Sequence, residues 1–213
     1  MTATFARLAG RLRGWLAAGL AVTVVAACTQ APPVPEFADI RYTNKPAMTF
    51  QANDVVVASD FQPSFQPPFV EHLMPLPPER ALRTWAQDRI AVSGQSGVPG
   101  DVGGLRVVRF VIRDASVREE RLQTQSGVRG FLTDEQAWRY TAHIHADVEV
   151  LRDRTVIASA TTEGHRSKTL GEKASLNERE EMWYALVVDL MQDFDTAMSQ
   201  NIRQHLGEYL VSP

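Results

Sequence analysis

The clearest pattern of hydrophobic and polar positions runs from Tyr140 to Val150. Every second residue there is apolar or aromatic, and the residues between them are Thr141, His143, His145, Asp147 and Glu149. Because successive side chains of a strand point to opposite faces, this alternation predicts a strand with one buried face and one solvated face. The β-rich run from Thr155 to His165 follows after Arg152-Asp153-Arg154. The two runs therefore predict an antiparallel hairpin with a tight connection.

Two earlier segments also predict strands. Val55 to Ala58 is a short β-branched run, too brief to show which face it buries. Between Leu105 and Glu120, the even-numbered positions Val108, Phe110 and Ile112 are apolar and would lie on one face of a strand. The odd-numbered positions, on the other face, mix apolar residues with arginines. This segment predicts a longer strand with one buried face and one partly covered face.

Helical periodicity marks two further segments. Pro77-Pro78-Glu79 favours a helix start, because proline is tolerated in the first turn and an acidic residue there complements the helix dipole. The apolar face of this helix is predicted to hold Leu82, Trp85, Ala86 and Ile90. Two pairs, Ser175 with Glu178 and Asn177 with Glu180, match a capping box before a long helix that reaches about Leu206. Successive residues of a helix are 100° apart around its axis, and at this spacing one face of the helix is apolar: Trp183, Leu186, Val187, Leu190, Phe194, Ala197 and Met198. The last apolar residues lie off that face: Ile202, Leu206, Tyr209 and Leu210. We expect them to meet the proline-rich loop of the same chain, and the alternative is a surface of a partner.

These elements predict an α+β fold. The order strand, helix, strands, helix indicates a mainly antiparallel sheet of about four strands, with two helices packed on one face. The second of them is the long C-terminal helix. We expect residues 50–213 to form this single domain.

The first 27 residues have the layout of a signal peptide. Arg7, Arg11 and Arg13 are the only charges there, and they precede an uncharged apolar run of about 13 residues from Trp15 to Ala27. A membrane-spanning helix needs roughly 20 apolar residues, so the run suits a cleaved leader better than a permanent span. Residues 1–27 are therefore predicted to be removed.

The residues that end this run, Val25-Ala26-Ala27-Cys28, resemble the lipobox of bacterial lipoproteins. The resemblance implies cleavage before Cys28, a diacylglycerol on its thiol and a further acyl chain, such as palmitate, on its new amine. Two or three chains would give durable membrane attachment, whereas one binds only marginally. Thr29, rather than aspartate, follows the cysteine, which by the enterobacterial sorting habit favours the outer membrane over the inner one. An ordinary secretory signal and an uncleaved helix are the alternatives.

Composition and charge exclude several classes of function. The chain is 44% hydrophobic and 22% charged, as is usual for a globular protein. Loss of residues 1–27 would move the formal net charge from −3 to −6, which argues against nucleic-acid binding. Cys28 is the only cysteine, so its acylation leaves no thiol for a disulfide or a metal site. The motifs of nucleophile elbows, phosphate loops and zinc proteases are absent, and we expect neither an enzyme nor a cofactor.

The segments that flank the first strand are rich in proline. Residues 28–49 are predicted to hold the lipidated cysteine and a semi-rigid linker. The segment 61–74 combines three prolines with apolar side chains and cannot join the middle of a sheet: Pro63, Pro67 and Pro68, with Phe61, Phe65, Phe69 and Leu73. Its aromatic residues either cover the domain's own core or form a docking strip for a partner. Phe61, Phe65 and Phe69 are therefore the candidate partner-binding residues.

His143 and His145 are the candidate metal ligands. A His-x-His pair on one strand places two imidazoles about 7 Å apart on the same side, close enough to share a metal ion. His165 of the next strand could add a third ligand. The alternative is an ordinary solvated strand face, and on that interpretation no metal is bound.

The predicted arrangement resembles the small periplasmic lipoproteins that serve as auxiliary components of envelope ABC transport systems, and more loosely the lipopolysaccharide-assembly lipoproteins. The resemblance implies a non-enzymatic envelope scaffold or transport accessory that faces the periplasm, is membrane-anchored through its lipid and binds a protein partner. Two alternatives are a carrier of an apolar ligand such as a lipid, with a cavity between helix and sheet, and a metal-binding protein that uses His143 and His145.

Overall fold

The computed structural model describes residues 36–94, 104–122 and 136–211. All of them belong to one compact unit, Pro35–Pro213. The predicted leader, residues 1–27, and Cys28 lie outside the described residues. Within the described part of the chain, no helix has the length and apolar character needed to cross a membrane.

A four-stranded sheet forms the centre of the fold. Its strands are, in spatial order, β2 (Asp54–Ser59), β4 (Arg106–Arg121), β5 (Gln136–Arg152) and β6 (Thr155–Gly171). The β4–β5 and β5–β6 pairs are antiparallel, as predicted, and β2 pairs with β4 in parallel. Asp153 and Arg154, both with positive φ, form the two-residue turn between β5 and β6. The mainly antiparallel α+β fold is confirmed.

Two helices cover one face of this sheet. Helix α1 is Pro78–Arg89 and helix α2 is Leu176–His205. The predicted capping box starts α2: the Ser175 hydroxyl accepts from the Glu178 N–H at 3.3 Å, and the Glu178 carboxylate accepts from the Ser175 N–H at 2.7 Å. Each bond satisfies a backbone donor that has no partner inside the first turn.

Aromatic rings fill the space between the helices and the sheet. The ring of Trp85 in α1 lies 5.5 Å from that of Phe110 in β4 and 5.1 Å from that of Phe194 in α2, measured between centroids. Further along the sheet, the Tyr140 and Trp183 rings are 5.6 Å apart. These residues lie on the apolar faces that the sequence pattern predicted, which explains why both helices pack on the same side.

A second, two-stranded parallel sheet was not predicted. It pairs β1 (Met48–Phe50) with β3 (Ile90–Val92), and Ile90, expected on the apolar face of a helix, begins β3 instead. The expectation that the last apolar residues meet the proline-rich loop is wrong for Tyr209 and Leu210, because the C-terminal tail, residues 209–211, pairs with β1 instead. The Tyr209 carbonyl accepts from the Gln51 N–H at 2.7 Å, and the Val211 N–H donates to the Thr49 carbonyl at 2.8 Å. The tail lies here because β1 offers backbone groups that need partners.

Residues before position 50 also pack against the domain. The Phe37 ring lies 5.4 Å from the Tyr184 ring in α2, and the Tyr184 hydroxyl donates to the Ala38 carbonyl at 3.0 Å. The Arg41 guanidinium forms an ion pair with Asp88 of α1 at 2.7 Å. Among the described residues, contacts with the rest of the domain therefore extend back to Phe37.

Candidate functional site

The proline-rich segment 61–74 lies along β4, beyond the end of β2. The Val70 N–H donates to the Val117 carbonyl at 2.9 Å, and the Pro68 carbonyl accepts from the Glu119 N–H at 2.8 Å. The segment thus extends the edge of the sheet by a short stretch of pairing. Prolines are tolerated there because one side of an edge segment forms no hydrogen bonds to a neighbouring strand, so the missing N–H of proline costs no bond.

A cleft of about 430 Å³ lies between this segment and strands β4 and β5. We call it the loop cleft. Its walls include two aromatic rings, two carboxylates, one guanidinium and one imidazole: Phe61, Phe69, Glu71, Asp114, Arg118 and His143. Sites for small ligands and side chains have volumes of this size and combine apolar walls with a few polar groups in the same way.

The three aromatic residues singled out in the sequence all lie at this cleft or next to it. Phe61 and Phe69 line it, and Phe61 also packs against the core. Phe65 projects outward: it is 66% exposed, has a φ of +56°, and its ring lies 5.2 Å from the His72 ring. Leu73 is also exposed, at 60%. The segment therefore covers part of the core and also presents apolar side chains to solvent.

Glu71 is the functional candidate that sequence reasoning missed. Its side chain lines the loop cleft although the residue is only 2% exposed. Its Oε2 accepts from the Val117 N–H at 3.2 Å, whereas its buried Oε1 has no hydrogen-bond partner among the described residues. A neighbouring cavity of about 130 Å³ is also lined by Glu71 and by His72, whose Nδ1 is likewise buried without a partner. Buried polar atoms nearly always have partners, so two such atoms together mark this region as unusual.

His143 is held between two carboxylates at the rim of the cleft. Its Nδ1 is 2.8 Å from Asp114 Oδ2, and its Nε2 is 2.7 Å from Glu163 Oε1. Partial burial is the largest single influence and lowers the pKa of His143. The hydrogen bonds and charges of Glu163 and Asp114 together outweigh it, so the pKa lies above its ordinary value. Protonated His143 is therefore stabilised in place by ion pairs on both ring nitrogens.

His145 lies on the same face but away from the loop cleft. Its Nε2 is 3.7 Å from Asp147 Oδ1, whereas His143 is paired with Asp114 and Glu163. His165 is the cross-strand neighbour of His143. Across residues 36–94, 104–122 and 136–211, no three His, Cys, Asp or Glu side chains are grouped so as to hold a metal ion. The two histidines thus share a strand face as predicted but have different partners.

Further ion pairs lie on the face of the sheet opposite the helices. Arg113 contacts Asp147 at 2.7 Å and Glu149 at 2.9 Å, and Arg109 contacts Glu149 at 2.5 Å. Glu149 is buried beneath these guanidinium groups. This network accounts for the arginines that alternate with apolar residues in β4, because cross-strand pairs of opposite charge stabilise a sheet.

A second polar cluster lies between the two helices. The Arg89 Nε is 2.9 Å from Asp195 Oδ1, and both side chains are almost fully buried. The same carboxylate accepts from the Trp85 indole at 2.8 Å and from the Lys45 ammonium at 2.6 Å. Arg89 also donates to Ser199 at 3.0 Å and to the Pro46 carbonyl. Because the donors and acceptors of this cluster are paired with one another, we assign it a structural role.

Comparisons with known proteins complete the description. No family model matches the chain, and no curated protein matches it. Among solved structures, the chain is similar to a Xanthomonas campestris protein of family DUF330, with 11% identity, a TM-score of 0.32, and coverage of 79% of this chain and 93% of that one. It is also similar to the rare lipoprotein B from Shewanella oneidensis, with 12% identity, a TM-score of 0.27, and coverage of 68% and 95%. A third is PelC from Paraburkholderia phytofirmans, a dodecamer, with 14% identity, a TM-score of 0.22, and coverage of 68% and 90%.

Proposed function

We propose that this chain is a lipoprotein of the bacterial envelope that binds a protein partner through the loop cleft and Phe65. Acyl chains on Cys28 anchor it, and the α+β domain faces the periplasm as a non-enzymatic scaffold or transport accessory. The anchor rests on the sequence Val25-Ala26-Ala27-Cys28 at the end of an apolar run. Partner binding rests on the geometry of segment 61–74.

The observation that carries partner binding is the position of Phe65. A phenylalanine that is 66% exposed leaves apolar surface in water, and its φ of +56° is unfavourable for any residue other than glycine. Residues in strained backbone conformations cluster at functional sites. Aromatic side chains beside a cleft are typical anchors of protein interfaces. Phe65 and Leu73 belong to the segment that forms one wall of a cleft of suitable size, so this edge of the domain is the docking surface that we propose.

A lipid carrier would need a cavity between the helices and the sheet. Trp85, Phe110 and Phe194 lie there in mutual ring contact, and all three are fully buried or nearly so. The loop cleft lies instead at the edge of the sheet. For this reason we propose partner binding rather than lipid transport.

Substitution Cys28→Ser is expected to abolish lipid attachment. The hydroxyl cannot form the thioether that holds the diacylglycerol, so labelled palmitate should not be incorporated, and the protein should leave the membrane fraction. Globomycin should likewise block processing of the wild-type precursor. The matched control is Phe65→Ala, which should keep the label. Undiminished labelling of the serine variant, or an unlabelled wild-type protein, would disprove the anchor.

A photo-crosslinking residue at position 65 is expected to capture the partner in intact envelopes. Phe65 is exposed at the tip of the segment, so a benzophenone side chain there would face the bound protein. The control is the same residue at position 156, since Val156 is 44% exposed but lies at the β5–β6 turn. A discrete crosslinked band at position 65 alone supports the proposal. Equal products at both positions, or none at position 65, would contradict it.

A further inference from the structure

We infer that the loop cleft accepts the ammonium group of a lysine side chain of the partner, with the free Oε1 of Glu71 as its acceptor. The inference rests on the proposed function, because it names the chemistry by which the partner is recognised. It starts from one atom: a buried carboxylate oxygen that has no donor among the described residues and that belongs to a side chain lining an open cleft.

Only half of the Glu71 carboxylate serves the fold. Oε2 accepts from the Val117 N–H and so takes the place of a backbone carbonyl where segment 61–74 runs along β4. A neutral side chain with one oxygen would satisfy that donor equally well. Oε1 is left without a partner although the residue is 98% buried. A carboxylate in this state has lost its hydration and gains strongly from a charged donor that enters the cleft.

The other walls suit a lysine stem and its charge. Phe61 and Phe69 provide apolar surface along which methylene groups can lie, and aromatic faces attract cations. Asp114, the second carboxylate of the lining, is paired with His143 and accepts from the Ser116 N–H, so the free acceptor is the one on Glu71. The cationic Arg118 is held over the Phe69 ring, with its guanidinium carbon 5.9 Å from the centroid. His143, the other basic group of the cleft, is already paired with Asp114 and Glu163.

The number of free acceptors favours lysine over arginine. A guanidinium binds a carboxylate best through two parallel hydrogen bonds, one to each oxygen. One oxygen of Glu71 already accepts from Val117. An ammonium group acts as a point charge and needs only one oxygen at a time, so it fits a carboxylate that offers a single free oxygen.

The test is a titration of the full chain, isotopically labelled, with N-acetyl-lysine methylamide, followed by amide NMR. The Val117 amide is the reporter, because its N–H is bonded to Glu71. We expect a saturable shift of that signal by the lysine probe, with a dissociation constant on the order of millimolar, as befits a ligand of few atoms. The norleucine analogue has a similar stem without the charge and should bind at least about tenfold more weakly.

Substitution Glu71→Gln should weaken binding of the lysine probe about tenfold or more, because the amide keeps an oxygen for Val117 but loses the charge. The matched control is Glu120→Gln in β4, the strand that holds Val117, where the carboxylate is exposed and 3.5 Å from Arg139; it should leave binding unchanged. The comparison of lysine with norleucine on the unaltered chain keeps the test valid if Glu71→Gln does not fold. Equal binding of both probes, stronger binding of the arginine analogue, or an unaffected folded Glu71→Gln variant would overturn the inference.

Failure of the inference and failure of the proposed function can be told apart. If a partner is crosslinked at position 65 but the lysine probe does not bind, the partner is recognised by other chemistry and only the inference is wrong. If the probe binds through Glu71 but no partner is crosslinked in intact envelopes, the cleft has the predicted chemistry and the proposed function is wrong.

Discussion

Substitution Val148→Asp is expected to unfold the protein. Val148 is fully buried on the inner face of β5, where its cross-strand neighbours are Phe110 and Ala160. Those neighbours are apolar and offer the new carboxylate no counter-charge. Burial of an unpaired charge costs several kcal/mol, a large part of the roughly 5–15 kcal/mol by which domains are stable. We expect loss of the cooperative urea transition and of near-UV circular dichroism.

The matched control is His143→Ala on the opposite face of the same strand. His143 is partly exposed, and its two ion pairs lie at the surface, so its removal should cost at most about 1 kcal/mol. A comparable loss of stability in both variants would mean that the faces of β5 are assigned the wrong way round.

Substitution Arg89→Met is the second change with a large expected effect. It leaves the buried Asp195 carboxylate with the Trp85 indole and the Lys45 ammonium but removes its buried counter-charge. Removal of one partner of a buried ion pair typically costs about 3–5 kcal/mol. The half-exposed Lys45 ammonium stays and compensates the remaining charge only in part. We expect a loss of about 3 kcal/mol in the free energy of unfolding, measured by urea denaturation near neutral pH.

The double variant Arg89→Met, Asp195→Leu separates the pair from the packing around it. Replacement of both charges by apolar side chains of similar size is often neutral, but here the Trp85 indole and the Lys45 ammonium also lose their acceptor, so the double variant should recover part of the lost stability. If the double variant is as unstable as Arg89→Met alone, the loss of stability comes from packing and not from the charge of Asp195.

The pH dependence of the intact protein follows from the same pair. Burial is the largest influence and raises the pKa of Asp195, but Lys45, Trp85 and Arg89 together outweigh it and hold the pKa below its ordinary value. A carboxyl group with a depressed folded-state pKa binds protons more readily when the chain unfolds. Its contribution to stability is therefore present above its unfolded pKa of about 3.9 and is lost as the pH falls through the folded value.

The long elements of this fold were predictable because they are amphipathic over many residues. Strands β4, β5 and β6 and helix α2 each repeat their pattern long enough to show which face is buried. Strands β1 and β3 have three residues each, too few for any period to show. The parallel pairing of β2 with β4 joins segments about 50 residues apart, and local pattern does not encode such a partner.

The candidate site was predictable only in part. The aromatic residues of segment 61–74 and His143 each stood out in the sequence, and the fold brings Phe61, Phe69 and His143 to one cleft. Glu71 gave no signal, because an acidic residue in a proline-rich loop is ordinarily solvated. Its burial depends on a hydrogen bond to Val117, a residue 46 positions later, and on the path of the whole segment along β4.

The pairing of β1 with the C-terminal tail also constrains the order in which the chain can fold. Thr49 and Gln51 find their backbone partners at Val211 and Tyr209, about 160 residues later. While the ribosome still holds residues 209–211, β1 keeps an open edge that can pair with other chains. A chaperone that shields this edge would protect the chain until its last residues are released, since only then can the edge close.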